Sequence, residues 1–219
     1  MLRVGLTGGL GSGKTTVSQI FREAGAQVLE ADLVGRQMME PGHAVYDAVV
    51  RQFGPEVVRE DGTLDRKRLA ELAFGGKRLA ELTKIVHPPV IAAEENWCRH
   101  VFTQNPSAVA VVESALIFES VRQGTVPGWR DRFDRVVLIT APESLRVERY
   151  VERMQRQGTT QSAEELAADA RARMATQMPE REKIPLADYV IHNDGSILDT
   201  RRQTMHIYTE LQSAARVRE

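Results

Sequence analysis

The chain has a single cysteine, Cys98, in 219 residues, which excludes an internal disulfide. Cys98 falls in an apolar helical stretch and is expected to be a buried packing residue. No run of about 18 apolar residues occurs, so no membrane-spanning helix is expected. A secretory leader is not expected either, because the apolar run from Leu2 to Thr7 already reads as a first strand. The expected compartment is therefore the cytoplasm. Neither sign of charge is in real excess: the net charge is −1, which argues against an extended nucleic-acid footprint, although basic residues can still gather around a phosphate site. Internal repeats, low-complexity tracts and flexible interdomain linkers are also missing. What remains is a globular composition, 42% hydrophobic and 27% charged, in a chain long enough for one α/β core with insertions or for two small domains.

The most informative stretch is Gly8-Gly9-Leu10-Gly11-Ser12-Gly13-Lys14-Thr15-Thr16. It fits the pattern G-x-x-x-x-G-K-[ST], preceded by the strand Leu2 to Thr7 and followed by Val17 to Phe21, which reads as a helix. The glycines let successive backbone N–H groups turn inward toward phosphate oxygens. Lys14 then reaches the β- and γ-phosphates, the Thr15 hydroxyl is placed to hold Mg2+, and the helix start adds its positive dipole. The competing reading is an ordinary glycine-rich turn between a strand and a helix. The order of strand, loop and helix favours a phosphate-binding loop and hence an α/β nucleotide-binding fold.

Gly25 ends the first helix, and Ala26 to Glu30 reads as a second strand with Asp32 just beyond its carboxyl end. Ligands of open parallel sheets gather outside these strand ends, which makes Asp32 a candidate for chemistry; capping the helix that starts at Leu33 is the alternative. From Leu33 to about Gln104 helical segments dominate, broken at Pro41-Gly42, Gly54-Pro55, Asp61-Gly62 and Gly75-Gly76. This reads as a helical insertion that covers and recognises a second substrate. Within it, Leu64-Asp65-Arg66 starts a helix, and His87-Pro88-Pro89 is expected to interrupt a longer one. Ala108 to Val112 is a continuous apolar strand ending in Glu113, where such proteins keep a carboxylate that holds Mg2+, usually through water; a cap for the next segment is the rival reading. Arg135 to Thr140 is a fourth strand. Pro142 opens a helix carrying Arg146, Arg149 and Arg153, the last two on one face. A polar bend and a second helix, Glu164 to Thr176, follow it with Arg171 and Arg173. Two arginine-bearing helices joined by a bend suit a lid over a triphosphate; a solvated hairpin is the bland alternative. Ala187 to Ile191 is a fifth strand, the turn His192 to Gly195 is expected near the nucleotide base, and a final helix runs to about Ala214.

A small-molecule kinase and a GTP-dependent switch compete for such a chain. The guanine-reading N-K-x-D segment is missing, and Asp32-Leu33-Val34-Gly35 satisfies D-x-x-G in form but follows the second strand rather than the third. The kinase reading is therefore favoured, with another small-molecule or nucleoside-monophosphate kinase as its nearest alternative and a regulatory nucleotide switch as the non-enzymatic one.

The ordered set of motifs resembles one family along almost the whole chain, dephospho-coenzyme A kinase. The resemblance rests on Gly5 to Thr16, Ala31-Asp32 with Arg36, Gly62-Thr63-Leu64-Asp65-Arg66, His87-Pro88, Leu116-Ile117-Phe118-Glu119, the Gln177 and Lys183 segment, and Ala187 to Ile191 with Asn193. It implies a P-loop, nucleoside-monophosphate-kinase-like core: a parallel five-stranded sheet flanked by helices, with a helical acceptor-binding insertion and a helical lid. The implied division is a nucleotide-binding core of 1–31, 106–145 and 177–219, an acceptor domain of 32–105 and a lid of 146–176. The implied reaction moves a phosphoryl group from ATP, with Mg2+, to the ribose 3′-hydroxyl of dephospho-coenzyme A. Gly8, Gly11, Ser12, Gly13, Lys14, Thr15, Thr16 and Asn193 are then nucleotide-binding. Asp32, Arg36, Asp65, Arg66 and His87 are acceptor-binding, Thr15 and Glu113 hold the metal, and Asp32, Lys14, Arg149 and Arg153 are catalytic. The chain departs from the usual pattern in having Glu30 and Glu113 where the family usually has Asp, Ala115 where it has proline, and a slightly longer lid bend.

Overall fold

The computed structural model describes residues 1–75, 78–122 and 128–217. Among them, five strands form one parallel sheet in the order β2-β3-β1-β4-β5. These are β1 (Leu2–Gly8), β2 (Gln27–Glu30), β3 (Val109–Glu113), β4 (Arg135–Thr140) and β5 (Tyr189–His192). The expected strands are thus all present. β1 lies in the middle, with Leu6 paired to Glu113 of β3 on one side and to Val137 of β4 on the other. Both faces of this central ladder are covered, which explains its nearly unbroken apolar runs. Val109, Val111, Val137 and Ile139 pack under Val17, Phe21, Ile207 and Leu211. The alternate residues Ala110, Val112 and Val136 face Val90, Cys98, Val101 and Phe118 on the other side.

The first of these layers comes from α1 (Lys14–Glu23) and the long final helix, which runs Ile197–Arg216. Between β2 and β3 the chain makes α2 (Ala31–Met38), α3 (Ala44–Phe53), α4 (Arg66–Ala70) and α5 (Leu79–Gln104). These helices enclose a small core of their own, in which Val45, Val49, Phe53, Val57, Leu64 and Leu69 are buried. Of the expected break at Gly75-Gly76, Gly76 lies outside the described residues.

The expected interruption at His87-Pro88-Pro89 does not occur: α5 is one helix of 26 residues with both prolines inside it. The prolines remove two backbone donors and crowd the preceding turn, but packing on both sides holds the helix together. Its early residues Leu82, Ile85 and Val86 join the small core, while Val90, Cys98 and Val101 join the sheet layer. One rod therefore ties the insertion to the core.

After β3 come α6 (Ile117–Arg122) and α7 (Trp129–Arg132), and after β4 a helical hairpin of α8 (Glu143–Arg156) and α9 (Ala163–Ala175). The hairpin is closed by Val147, Tyr150, Leu166 and Ala170. Ser162 starts α9 with a capping box to Glu165. A short α10 (Glu180–Lys183) precedes β5, and α11 is the final helix. Among the described residues no helix is long and apolar enough to cross a membrane.

Candidate active site

The loop between β1 and α1 leaves the carboxyl end of the central strand, where an open sheet receives its ligand. Gly11 and Gly13 take positive φ angles of 74° and 96°, a conformation that favours glycine. A side chain at Gly13 would also bring its Cβ to 2.0 Å from the Asn193 amide nitrogen, and one at Gly11 would come to 2.3 Å from the Arg146 carbonyl. The loop is braced from outside. Arg146 Nε donates to the Leu10 carbonyl at 2.8 Å, and the Leu10 N–H donates to Gln177 Oε1 at 3.1 Å. The Asn193 amide donates to the Ser12 carbonyl at 2.8 Å while its oxygen accepts from Thr200 Oγ1 at 2.8 Å. The structure thus places Asn193 beneath the loop.

A cavity of about 680 Å3 opens over this loop, lined by Gly11, Gly13, Lys14, Thr15, Thr16, Asp32, Glu113, Arg149 and Arg153. Lys14 Nζ rests on the Gly8 carbonyl at 3.0 Å. Burial pulls its pKa below the ordinary lysine value, with Glu113 and Asp32 pulling the other way. Arg149 Nη1 and Ser12 Oγ are buried without a hydrogen-bond partner. Orphaned donors of this kind are costly unless an anion completes them, so the cavity fits a bound polyphosphate. Beyond Arg146 and Gln177 lies a second cavity of about 700 Å3, which reaches Thr140, His192 and Asp194 at the ends of β4 and β5.

Asp32 sits in the first turn of α2. The cap position belongs to Glu30, and neither side chain caps, so the capping alternative for Asp32 does not hold. Its carboxylate is exposed and makes no hydrogen bond or ion pair among the described residues. It lines both the phosphate-loop cavity and a third cavity of about 300 Å3 between α2 and α5, which also carries Arg36, Arg66 and His87.

Glu113 ends β3 opposite Glu30 in the ladder, and its Oε2 accepts from Ser18 Oγ at 3.0 Å. Burial raises its pKa, while the Ser18 hydroxyl and Lys14 oppose the shift. Glu30 is engaged by Arg22 at 2.6 Å. No group of three or more His, Cys, Asp or Glu side chains among the described residues forms a metal cage. Thr15 and Glu113 both line the phosphate-loop cavity, and such oxygen donors suit Mg2+, which keeps its waters and binds through one or two protein groups and substrate phosphates.

A family model described as dephospho-CoA kinase matches residues 2–199. The chain belongs to the dephospho-CoA kinase family. A dephospho-CoA kinase of Bacillus cereus is 39% identical over 202 residues, covering 91% of this chain and 92% of the relative. One from Aquifex aeolicus is 35% identical over 212 residues, 96% and 98% of the two chains. Among solved structures, TT1252 from Thermus thermophilus superposes with a TM-score of 0.73 at 31% identity, covering 95% of this chain and 96% of that one.

The residues expected on the acceptor side divide. Arg66 is braced beside Arg36, donating to the Arg36 carbonyl at 3.3 Å and pairing with Glu40 at 2.7 Å. His87 lines the cavity between α2 and α5, and burial, aided by Arg132, lowers its pKa. Asp65 lines none of the three cavities: its carboxylate caps α4 through the N–H groups of Lys67 and Arg68, each at 3.0 Å. These backbone donors hold its pKa low. Two buried ion pairs join residues that the sequence does not show to be partners, although Glu119 and Lys183 both fall in motif segments. Arg132 meets Glu94 at 2.5 Å, and Lys183 meets Glu119 at 2.6 Å. Glu119 Oε1 also accepts from the Met178 N–H at 3.1 Å, tying the segment after α9 to α6. Cys98 is buried as expected, and desolvation pushes its thiol up to about 11, which keeps it unreactive.

Proposed function

We propose that Asp32 orients the ribose 3′-hydroxyl of dephospho-CoA and accepts its proton as the γ-phosphoryl group of ATP is transferred. The reading rests on one observation above all: Asp32 is shared by the phosphate-loop cavity and the cavity of the helical insertion. A donor in the first and an acceptor in the second meet at its carboxylate.

The nucleotide base takes the cavity beyond Arg146, and the phosphates lie on the loop N–H groups with Lys14 at the β- and γ-phosphates. A bond forms between O3′ and the γ-phosphorus while the bond to the bridging oxygen of ADP breaks. The hydroxyl proton passes to Asp32 and then to solvent. Because such transfers are largely dissociative, positioning and charge neutralisation contribute more than base strength. Arg149, with its partnerless buried Nη1, and Arg153 supply positive charge to the migrating group from α8. Thr15 and, through water, Glu113 are the residues that would hold Mg2+, which neutralises phosphate charge when bound. On this reading residues 32–105 recognise the acceptor, 146–176 act as the lid that excludes water, and the reaction takes place in the cytoplasm.

The test is ADP release measured across dephospho-CoA, adenosine, nucleoside monophosphates and shikimate, followed by Asp32→Asn. Dephospho-CoA is expected to be the preferred acceptor. The substitution is expected to lower kcat by about 100-fold or more with little change in either KM. Near-normal turnover by Asp32→Asn would remove Asp32 from the role of base, and preference for another acceptor would overturn the substrate reading.

A further inference from the structure

We propose that Glu119 is a positioning residue that couples the two substrate sites: through the Met178 N–H it joins the wall of the cavity between α2 and α5 to the crest of the phosphate-binding loop. The inference rests on ATP lying on that loop and on dephospho-CoA reaching the helical insertion.

On the loop side the link is a strap, residues 177–183. Gln177 Oε1 accepts from the Leu10 N–H at 3.1 Å, and Gln177 lines both the phosphate-loop cavity and the one beyond Arg146. Glu180, in the middle of the strap, is held by Arg146, which also holds the Leu10 carbonyl. The two remaining ties end on one atom. Glu119 Oε1 accepts from the Met178 N–H at 3.1 Å and meets Lys183 Nζ at 2.6 Å. That N–H belongs to the Gln177–Met178 peptide, so a shift of Glu119 moves the backbone that aims Gln177 at the loop.

On the acceptor side the link is α6. Leu116, just before the helix, and Ser120 within it both line the cavity between α2 and α5. The Ser120 N–H donates to the Leu116 carbonyl at 3.0 Å, so the two stand one turn apart on the same face. Leu116 is 40% exposed. An acceptor lying against it hides apolar surface and favours the placement of α6 that allows this contact. Ile117 and Phe118 are buried in the layer under the sheet and hold the short helix as a unit. What is felt at Leu116 therefore reaches Glu119 within one turn.

Stability alone does not account for a charged pair in this place. Glu119 and Lys183 are hidden, at 7% and 1% side-chain exposure, and Glu119 Oε2 is buried without a hydrogen-bond partner among the described residues. Burying an ion pair is a weak way to gain stability, since desolvation offsets much of the attraction, and a partnerless buried oxygen adds to the cost. The carboxylate instead specifies where the strap lies. With residues 177–183 set from α6, the loop takes its best shape for ATP once the acceptor is in place. Closure that waits for the acceptor also keeps the phosphoryl group from water.

The test measures the Kd of the non-hydrolysable analogue β,γ-imido-ATP with and without saturating dephospho-CoA. In the unmodified protein the acceptor is expected to tighten the analogue about fivefold or more, and the analogue to tighten the acceptor by the same factor. Two double variants isolate the bond. Glu119→Gln with Lys183→Met removes both charges but keeps an oxygen for the Met178 N–H, and it is expected to retain the coupling. Glu119→Leu with Lys183→Met removes that oxygen too and is expected to bring the factor to within about twofold of one. A change in stability alone would lower Tm in a variant without altering this ratio. Any other pattern, including no coupling in the unmodified protein, coupling kept by both variants or coupling lost from both, would overturn the proposal. Failure of the unmodified protein to bind dephospho-CoA would instead overturn the substrate reading beneath it. Should the leucine variant fail to fold, hydrogen exchange on the unmodified protein decides. Dephospho-CoA alone is expected to slow exchange at the Met178 and Leu10 N–H groups about fivefold or more relative to those of α11. Equal slowing throughout, or none at these two groups, would overturn the proposal.

Discussion

Arg146 Nε donates to the Leu10 carbonyl at 2.8 Å, so the first helix after β4 holds the peptide at the crest of the phosphate-binding loop. Gln177, just past α9, holds the N–H of the same residue. Both ends of the α8–α9 hairpin are therefore fastened to one loop residue. Arg146 also pairs with the partly buried Glu180 at 2.7 Å, and burial raises the Glu180 pKa against the pull of Arg146.

Arg146→Ala removes the Leu10 bond and leaves Glu180 unpaired. The loss is expected to be about 3 kcal/mol or more, which for a chain of this size lowers Tm by roughly 6–12 °C. Gln177→Met keeps the volume but not the acceptor atom. It is expected to raise the KM for ATP several-fold with a much smaller change in Tm. Thermal melts and steady-state kinetics on the two variants separate the structural bond from the functional one. Equal Tm losses for both would show that Gln177 serves the fold alone.

Arg149 and Arg153 share one face of α8, and the sequence does not rank them. The structure does. Arg149 Nη1 is buried without a partner, whereas the Arg153 guanidinium lies over the Tyr150 ring at 5.4 Å. Arg149→Ala is expected to cost about 1,000-fold in kcat, the effect of losing a cation that acts on the migrating phosphoryl. Arg153→Ala is expected to cost no more than about tenfold. Single-turnover measurements at saturating ATP decide between them, and the reverse order would move the principal role to Arg153.

The glycine-rich loop, all five strands and the place of Asp32 just past a strand end are legible because each depends on local pattern: glycine spacing, continuous apolar runs and an acid at a strand end. Other features depend on residues far apart in sequence. The Glu94–Arg132 pair joins α5 to α7 across 38 positions, and Asn193 lies under Ser12 across 181. No window of sequence shows either contact. His87-Pro88-Pro89 misled for the same reason: local propensity predicts a break, while the packing of α5 against two cores overrides it. For Asp65, a motif residue on the acceptor side, the structure shows a local task in the capping of α4.

Asn193 makes a sharp test of how the loop is supported. It is buried, donates to Ser12 and accepts from Thr200. Asn193→Ala leaves both groups without that partner and is expected to cost about 1–3 kcal/mol, together with a higher KM for ATP as the loop loses its support. Asn193→Asp keeps the oxygen that accepts from Thr200 but loses the donor to Ser12. It also sets a buried carboxylate oxygen against the Ser12 carbonyl, so denaturant unfolding is expected to place it below Asn193→Ala. A wild-type KM for ATP in both variants would show that the loop holds its shape without this bond.

His87 gives a pH prediction with a definite sign. Burial lowers its pKa from the ordinary value of 6.5, Arg132 adds to the effect and Asp32 opposes it. The native protein therefore keeps His87 neutral where the unfolded chain has begun to take up a proton. The contribution of this residue to stability is complete above 6.5 and is lost as the pH falls from there through the depressed native value. Glu94, whose pKa burial raises from 4.5, acts in the opposite sense: the native state takes up its proton first, so acidification relieves the cost of burying its charge. NMR titration of the ring protons is expected to place His87 below 6.5. Urea unfolding at about pH 7.5 and about pH 5.5 is expected to show a larger acid loss for the native protein than for His87→Asn, which has no proton to gain at this position. A His87 titration at or above 6.5 would mean that the Asp32 carboxylate outweighs burial.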